Sequence, residues 1–231
     1  MNSSKNITVG LIIPVLNEID GLKTIFPKID KKIFDQILFI DGGSTDGTIS
    51  FLEENNCEYI NQKKPGLSEA ILEGIKALKV DCVIEFSPDG NCLTQHLPSV
   101  VKELKSGADL VVVSRYLPPA KSADDTLITG IGNFMFTKLI NLFGKQKITD
   151  SLNIYRGFRI NKFICDEMLE LLDGPVFEPL ISIWALKNNY KIVEIAGDEP
   201  ERIGGEKKMR IFYNGFCILR MIKRCLFYKI K

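Results

Sequence analysis

Residues 82–91 read CVIEFSPDGN. An apolar run suited to a buried strand ends at a proline, an aspartate, a glycine and an asparagine. Pro-Asp-Gly is turn chemistry, so the stretch predicts a strand that stops sharply at a polar loop. The pattern recurs along the first half of the chain. TVGLII (8–13) stops at Pro14, before VLNE. QILFI (36–40) runs into DGGSTDGT, and ADLVVVSR (108–115) ends on Arg115. CEYIN (57–61) reads as a further short strand. Between them lie segments of helical spacing at 19–29, 48–55, 67–79 and 97–104. The third is the most regular, with Leu67, Ala70, Ile71, Gly74, Ile75 and Leu78 on one face. Strands alternating with helices predict an α/β fold, a mostly parallel sheet with helices on both faces. Ligands on such sheets bind outside the carboxyl ends of the strands. Four polar loops converge on that rim, which marks a site better than any one of them does.

The 231 residues suffice for a real core, and a net charge of +1 gives no ground for nucleic-acid binding. Six cysteines contain no CxxC pair, and the single histidine, His96, cannot complete a zinc set with them. Cys82 and Cys165 read as small core residues, Trp184 as core and His96 as a helix-start residue. Free thiols and a polar N-terminus with no signal peptide point to a cytoplasmic setting. No stretch reaches the roughly 18 uncharged apolar residues of a membrane-spanning helix, so contact with a membrane would be peripheral.

DGGSTDGT is neither a Walker loop nor GxGxxG. Ser44, Thr45 or Asp46 can cap the helix that follows. Asp41, at the end of its strand, is placed to accept hydrogen bonds from a base or ribose. Asp89 is a hard oxygen ligand suited to Mg2+ or Mn2+ shared with substrate phosphates. Ser87 and Asn91 flank it at two-residue spacing, offering a hydroxyl and an amide oxygen. The alternative is a turn and nothing more.

Together these residues resemble family 2 glycosyltransferases of GT-A fold, most closely the dolichyl-phosphate mannose synthase-like branch, from about Thr8 to Lys208. PVLNE resembles the family's P-x-x-N-E opening through Pro14, Asn17 and Glu18. DGGSTDGT resembles its D-[DG]-[GS]-S-x-D-x-[ST] segment through Asp41, Ser44 and Asp46. SPDGN stands where the family carries D-A-D-L-Q, with Ser87 in place of the first aspartate. VVVSRY resembles G-S-R-Y. Asp150 and Gly157-Phe158-Arg159 resemble D-x-x-x-G-F-R, and Arg202, Gly205 and Lys208 resemble R-x-x-G-x-S-K. The resemblance implies a nucleotide-sugar donor, GDP- or UDP-linked, with Asp41 on the base and Asp46 nearby. It implies a divalent ion on Asp89, aided by Asn91, and Arg202 and Lys208 closing over the phosphates. It places Arg115, with Arg156 or Arg159, on an anionic acceptor. Guanidinium groups suit such phosphates.

A lipid phosphate acceptor needs no base, whereas a sugar hydroxyl does. The family's hydroxyl-specific members show an E-D pair before a helix; GPVFEPLIS offers Glu178 alone. That tilts the reading to transfer, with inversion implied by the family, onto a polyprenyl phosphate. Its rivals are a glycan-hydroxyl acceptor with Glu178 as base, and a non-catalytic nucleotide-binding protein. The chain divides into a catalytic domain, 1–206, and a tail, 207–231, carrying eight basic residues. Arg210, Arg220, Lys223, Arg224 and Lys231 gather on one side of its helical wheel. Ile211, Phe212, Ile218, Leu219, Ile222, Leu226 and Ile230 share the other. Such a helix fits an anionic membrane surface, here the inner face of the cytoplasmic membrane. The alternative is a helix docked on the protein's own core. LITGIGNFMFTKLINLF (127–143) reads as a helix near the acceptor side, either core or an entry for a lipid chain.

Overall fold

A computed structural model describes residues 7–204 and 210–228. Seven strands form one sheet in the order β3-β2-β1-β4-β6-β5-β7. They are β1 (Val9–Val15), β2 (Gln36–Asp41), β3 (Tyr59–Asn61), β4 (Cys82–Glu85), β5 (Leu110–Ser114), β6 (Arg156–Arg159) and β7 (Ile192–Ala196). β6 runs antiparallel to both its neighbours and every other pairing is parallel. The carboxyl ends of β1, β2, β4 and β5 therefore share one rim, as the sequence pattern predicts. The helices are α1 (Ile19–Ile25), α2 (Thr48–Glu54), α3 (Leu67–Ala77), α4 (Leu97–Lys105), α5 (Leu127–Ile140), α6 (Ile160–Phe163), α7 (Asp166–Leu169), α8 (Phe177–Lys187) and α9 (Ile211–Phe227).

Each face of the sheet has its own core. Leu22, Leu52, Val100 and Leu104 of α1, α2 and α4 cover one face, against Leu11, Ile13 and Ile84. Ile71 and Ile75 of α3, Leu180 and Trp184 of α8, and Met221 of α9 cover the other, against Ile12, Ile40 and Val83. α9 thus packs into the same core as the rest of the chain. Trp184 is buried, as its pattern suggests, and Cys165 is half-buried beside this core while Cys82 is fully buried.

The strand expected to stop at Pro14 continues to Val15. β1 pairs with β4 only as far as Ile12, whereas its pairing with β2 runs on through Pro14 to Val15. At Pro14 one side of β1 is an edge, so the missing N–H removes no ladder bond there. β6 and β7 had no counterpart among the expected strands.

Candidate active site

The first two rim loops are stitched to each other by the residues that make up their motifs. Asn17 sits at φ +56°, a left-handed conformation that asparagine tolerates. Its Oδ1 accepts the Thr45 N–H at 2.8 Å, and its own N–H donates to Ser44 Oγ at 2.9 Å. The Glu18 N–H donates to Thr48 Oγ1 at 3.1 Å. Asp46 accepts the Ile19 N–H at 3.1 Å and the Thr48 hydroxyl at 2.6 Å. Burial pushes the Asp46 pKa up, but those donors outweigh it and the net shift is downward. Asp46 therefore holds the start of α2 through Thr48, as a cap would, and also reaches across to α1. Asp41 is buried, and its carboxylate accepts the N–H groups of Gly43 at 2.8 Å and Ser44 at 3.1 Å. It shapes its own loop at the end of β2.

SPDGN lies against this pair of loops. A Cβ on Gly21 of α1 would stand 2.3 Å from the Pro88 carbonyl oxygen, so only glycine lets α1 approach so closely. Asp89 is buried, and its Oδ1 accepts the Asn91 N–H at 3.0 Å. Its Oδ2 meets Arg202 Nη2 at 2.7 Å, while Arg202 Nη1 reaches Glu18 Oε1 at 3.3 Å. One guanidinium thus bridges carboxylates from two rim loops. The backbone holds it there: the Ile203 N–H donates to the Asp89 carbonyl at 2.8 Å, and Asn91 Nδ2 donates to the Pro200 carbonyl at 2.7 Å. Gly90, at φ +95°, lies under the Ile203 side chain. Arg202 Nε is buried and has no hydrogen-bond partner among the described residues, which leaves one donor for an anion. Ser87 is half-buried where β4 ends, and Pro14 is half-buried in β1. Lys208 lies outside the described residues.

A divalent ion fits this donor set only in part. Asp89 and Asn91 present hard oxygens, and the Arg202 guanidinium already occupies a cation's place between two carboxylates. Among the described residues no group of three or more His, Cys, Asp or Glu side chains could hold a metal by itself. An ion here would need oxygens from a ligand such as a diphosphate.

The three arginines expected at the acceptor separate. Arg115 stands at the rim, but Asp150 takes its Nε at 2.7 Å and its Nη2 at 3.0 Å, and Glu199 takes its Nη1 at 3.2 Å. Burial of Asp150 would raise its pKa, but the charge and hydrogen bonds of Arg115 hold it below the ordinary value. Arg156 is completely buried, which corrects its expected contact with an acceptor. Its donors are used inside: Nε on the Asn153 carbonyl at 2.7 Å, Nη1 on the Glu178 carbonyl at 2.7 Å and Ser182 Oγ at 3.1 Å, Nη2 on the Ser151 and Asn153 carbonyls. Arg159 is corrected for a different reason. β6 is antiparallel, with Arg156 opposite Glu85 and Arg159 opposite Cys82, so Arg159 lies at the far end of β4 from Asp89. There it binds the Ala108 and Leu104 carbonyls.

Glu178, in the first turn of α8, is buried and one of its oxygens lacks a hydrogen-bond partner. Burial pushes its pKa up. Glu85, across the ladder from Arg156, is also fully buried with neither oxygen hydrogen-bonded. Burial first, then repulsion from Glu178, pushes its pKa well above the ordinary value despite Arg156. Sequence reasoning missed this cluster, although a glutamate within the apolar run CVIEF was its signal: a charge in a buried strand requires a partner. It also missed that Asp150 and Glu199 occupy Arg115.

The model of glycosyl transferase family 2 matches residues 11–165. The chain is 25% identical to a dolichol-phosphate mannosyltransferase of Pyrococcus furiosus, over 87% of this chain and 59% of that protein. It is 25% identical to a UDP-N-acetylglucosamine–dolichyl-phosphate N-acetylglucosaminyltransferase of Methanococcus voltae, over 81% of this chain and 83% of that one. Against the first of these, then, it spans less than two thirds of the relative's length. A glucosyl-3-phosphoglycerate synthase of Mycobacterium tuberculosis, crystallised with Mn2+, UDP-glucose and phosphoglyceric acid, has the same fold, with a TM-score of 0.72 at 18% identity over 98% of this chain and 83% of that one.

Proposed function

This chain belongs to glycosyl transferase family 2, and from that premise we propose that it transfers a sugar from a nucleotide-sugar to a polyprenyl-phosphate-type lipid. The observation that carries the reading is the clamp at the donor rim, where Arg202 lies between Asp89 and Glu18 with its buried Nε unpartnered among the described residues. Asp41 and the stitched loops receive the nucleoside, UDP- or GDP-linked. Asp89 and Asn91 would hold Mg2+ or Mn2+ together with the diphosphate, and Arg202, released from Asp89, would pair with phosphate oxygens. The ion, when bound, screens the charge that grows on the departing diphosphate. The M. tuberculosis synthase supports a divalent ion and a phosphate-bearing acceptor, being crystallised with Mn2+ and phosphoglyceric acid. The relatives named for dolichyl phosphate support the lipid. Arg115 is the one expected acceptor arginine that stands at the rim. An acceptor phosphate would compete with Glu199 for its Nη1.

A glycan hydroxyl is the second reading, favoured by one observation: Glu178 is a buried carboxyl with a raised pKa and an unpartnered oxygen, as a base requires. A transfer assay with Glu178→Gln separates the two. The variant retains most of its turnover on a polyprenyl phosphate if the acceptor is a phosphate. Loss of 100-fold or more, on the order expected for a general base, supports the hydroxyl. Binding of a nucleoside diphosphate without turnover of any donor would favour a non-catalytic protein. The chain works at a membrane surface, the inner face of the cytoplasmic membrane, with α9 as its basic amphipathic helix. Among the described residues no helix is long and apolar enough to cross a membrane.

A further inference from the structure

The segment that follows β7 is tied to both halves of the rim. On the donor side, the Ile203 N–H donates to the Asp89 carbonyl at 2.8 Å, the Pro200 carbonyl accepts Asn91 Nδ2 at 2.7 Å, and Arg202 Nη2 meets Asp89 Oδ2 at 2.7 Å. On the other side it lies strand-like against the loop between β5 and α5. The Glu199 N–H donates to the Lys121 carbonyl at 2.9 Å, the Ala123 N–H to the Glu199 carbonyl at 2.8 Å, and the Lys121 N–H to Asp198 Oδ1 at 2.8 Å. Glu199 and Arg202 thus stand three positions apart on one pinned segment, with a side chain on each half of the rim.

Glu199 meets Arg115 there. Its two oxygens take Nη1 at 3.2 and 3.4 Å, and one of them also accepts the Ser122 hydroxyl. Asp150 takes Nε and Nη2 of the same guanidinium at 2.7 and 3.0 Å. The bonds to Glu199 are the longer ones, so Glu199 is the partner that exchanges more easily. Both side chains are 12% exposed, which leaves Nη1 covered while the contact lasts. Two carboxylates on one guanidinium carry a surplus negative charge. Burial raises the Glu199 pKa despite Arg115, and Asp125 and Asp124 add to the rise. A phosphate brought to Arg115 with Glu199 in place would be a third anion on one cation, repelled at close range. It gains that seat when the glutamate leaves.

We propose that Glu199 is a resident stand-in for an acceptor phosphate: its carboxylate keeps Arg115 occupied, and a nucleoside diphosphate that draws Arg202 off Asp89 shifts the shared segment and releases Arg115. This rests on the reading above, with a diphosphate at Asp89 and a phosphate-bearing acceptor at Arg115, and adds that the two bind cooperatively. Because coupling between sites is reciprocal, an acceptor phosphate tightens the diphosphate by the same factor.

The test is calorimetric titration of farnesyl phosphate into wild type and Glu199→Gln, each alone and each saturated with Mn2+ and whichever of UDP or GDP binds. Glutamine keeps the length of the side chain and can still meet the Ser122 hydroxyl, and equal thermal midpoints check the fold. Wild type alone is expected to bind weakly and to gain at least tenfold with the diphosphate. Glu199→Gln is expected to bind at least tenfold more tightly than wild type without the diphosphate, and to gain less than twofold with it. Adding Arg115→Lys to Glu199→Gln keeps a cation beside Asp150 but removes Nη1, and is expected to abolish the tighter binding. The proposal is overturned if Glu199→Gln binds no more tightly than wild type, if it keeps the full gain from the diphosphate, or if Arg115→Lys leaves its tighter binding intact. A diphosphate that binds wild type without changing its affinity for farnesyl phosphate also overturns it, and leaves the donor reading standing. If farnesyl phosphate binds neither protein, the phosphate-acceptor reading falls and takes this coupling with it; if no diphosphate binds, the donor reading falls and does the same.

Discussion

Asp89 and Arg202 hold each other at 2.7 Å, two residues from Ser87, which stands where the family pattern carries another aspartate. Arg202 supplies a resident positive charge, which a divalent ion at the proposed site would have to displace. Arg202→Gln should therefore bind Mn2+ more tightly than wild type when no nucleotide is present, while gaining less stabilisation from a nucleoside diphosphate. Electron paramagnetic resonance of free Mn2+ measures the first effect; equal affinity in the two proteins would refute the competition. Asp89 was expected as a site residue from its polar loop, and Arg202 through the family resemblance. Their contact was not, since 113 positions of sequence separate them, and it depends on the Ile203–Asp89 and Asn91–Pro200 hydrogen bonds and the packing of Ile203 over Gly90. Glu85 was hidden for the opposite reason, sitting inside an apolar run. Its raised pKa means that folding takes up a proton there. That contribution is complete below the ordinary value of about 4.5 and fades as pH rises through the folded value. Between pH 5 and pH 8 wild type should lose stability relative to Glu85→Gln, by about 1.4 kcal/mol for each pH unit over which Glu85 alone stays protonated. The facing charges are Arg156 and Glu178, and urea unfolding at the two pH values makes the comparison. Removing Arg156 instead, as Arg156→Met, should cost about 1–3 kcal/mol, because it leaves the buried carbonyl of Asn153 without its donor.

Among the elements, the two rim loops after β1 and β2 act as one piece. PVLNE and DGGSTDGT are joined by Asn17, Ser44, Asp46 and Thr48 through hydrogen bonds of 2.8–3.1 Å that cross between the loops after β1 and β2. Asn17 contributes both its amide oxygen and its left-handed backbone. Asn17→Ala loses both and should cost about 1–3 kcal/mol, with weaker nucleotide binding. Asn17→Gly keeps the backbone conformation and should cost less. Chemical denaturation of the two variants checks the order, and equal losses would mean that the conformation plays no part. The rim strands and their helices were readable because apolar runs ended at turn residues. β6 was not: RGFR is four residues long, bears an arginine at each end, and is a strand only because β4 and β5 accept it antiparallel between them. That reversal is what sends Arg156 into the core and Arg159 to the far rim. α5 was legible as a helix from its apolar residues, but not as one that buries Asn133 and Thr137 and leaves Phe134 exposed. Its buried edge is defined by partners at Ile148, Asp150 and Ser151, which lie beyond the helix itself.

At the scale of the whole molecule, a seven-stranded sheet presents the donor loops along one rim, and a single core ties that sheet to α5 and α9. The alternation of strands and helices was enough to foresee the α/β architecture, and the ordered motifs were enough to foresee the family. How the tail divides between core and surface was only half visible. The tail was expected to divide into an apolar and a basic side, yet Ile218 and Ile222 are committed to the core while Phe212 and Leu226 of the same set stay outside. A helical wheel cannot tell core from bilayer, since both accept the same side chains. The central claim remains that the rim binds a nucleoside diphosphate through Asp89. Its most direct test is the thermal stabilisation of wild type and Asp89→Ala by UDP and by GDP, each with and without Mn2+. A ligand at 100 times its Kd adds about 2.7 kcal/mol. The account predicts that one diphosphate stabilises wild type with Mn2+ and that Asp89→Ala loses most of the effect. Failure of both diphosphates under every condition, or full stabilisation of Asp89→Ala, would contradict it.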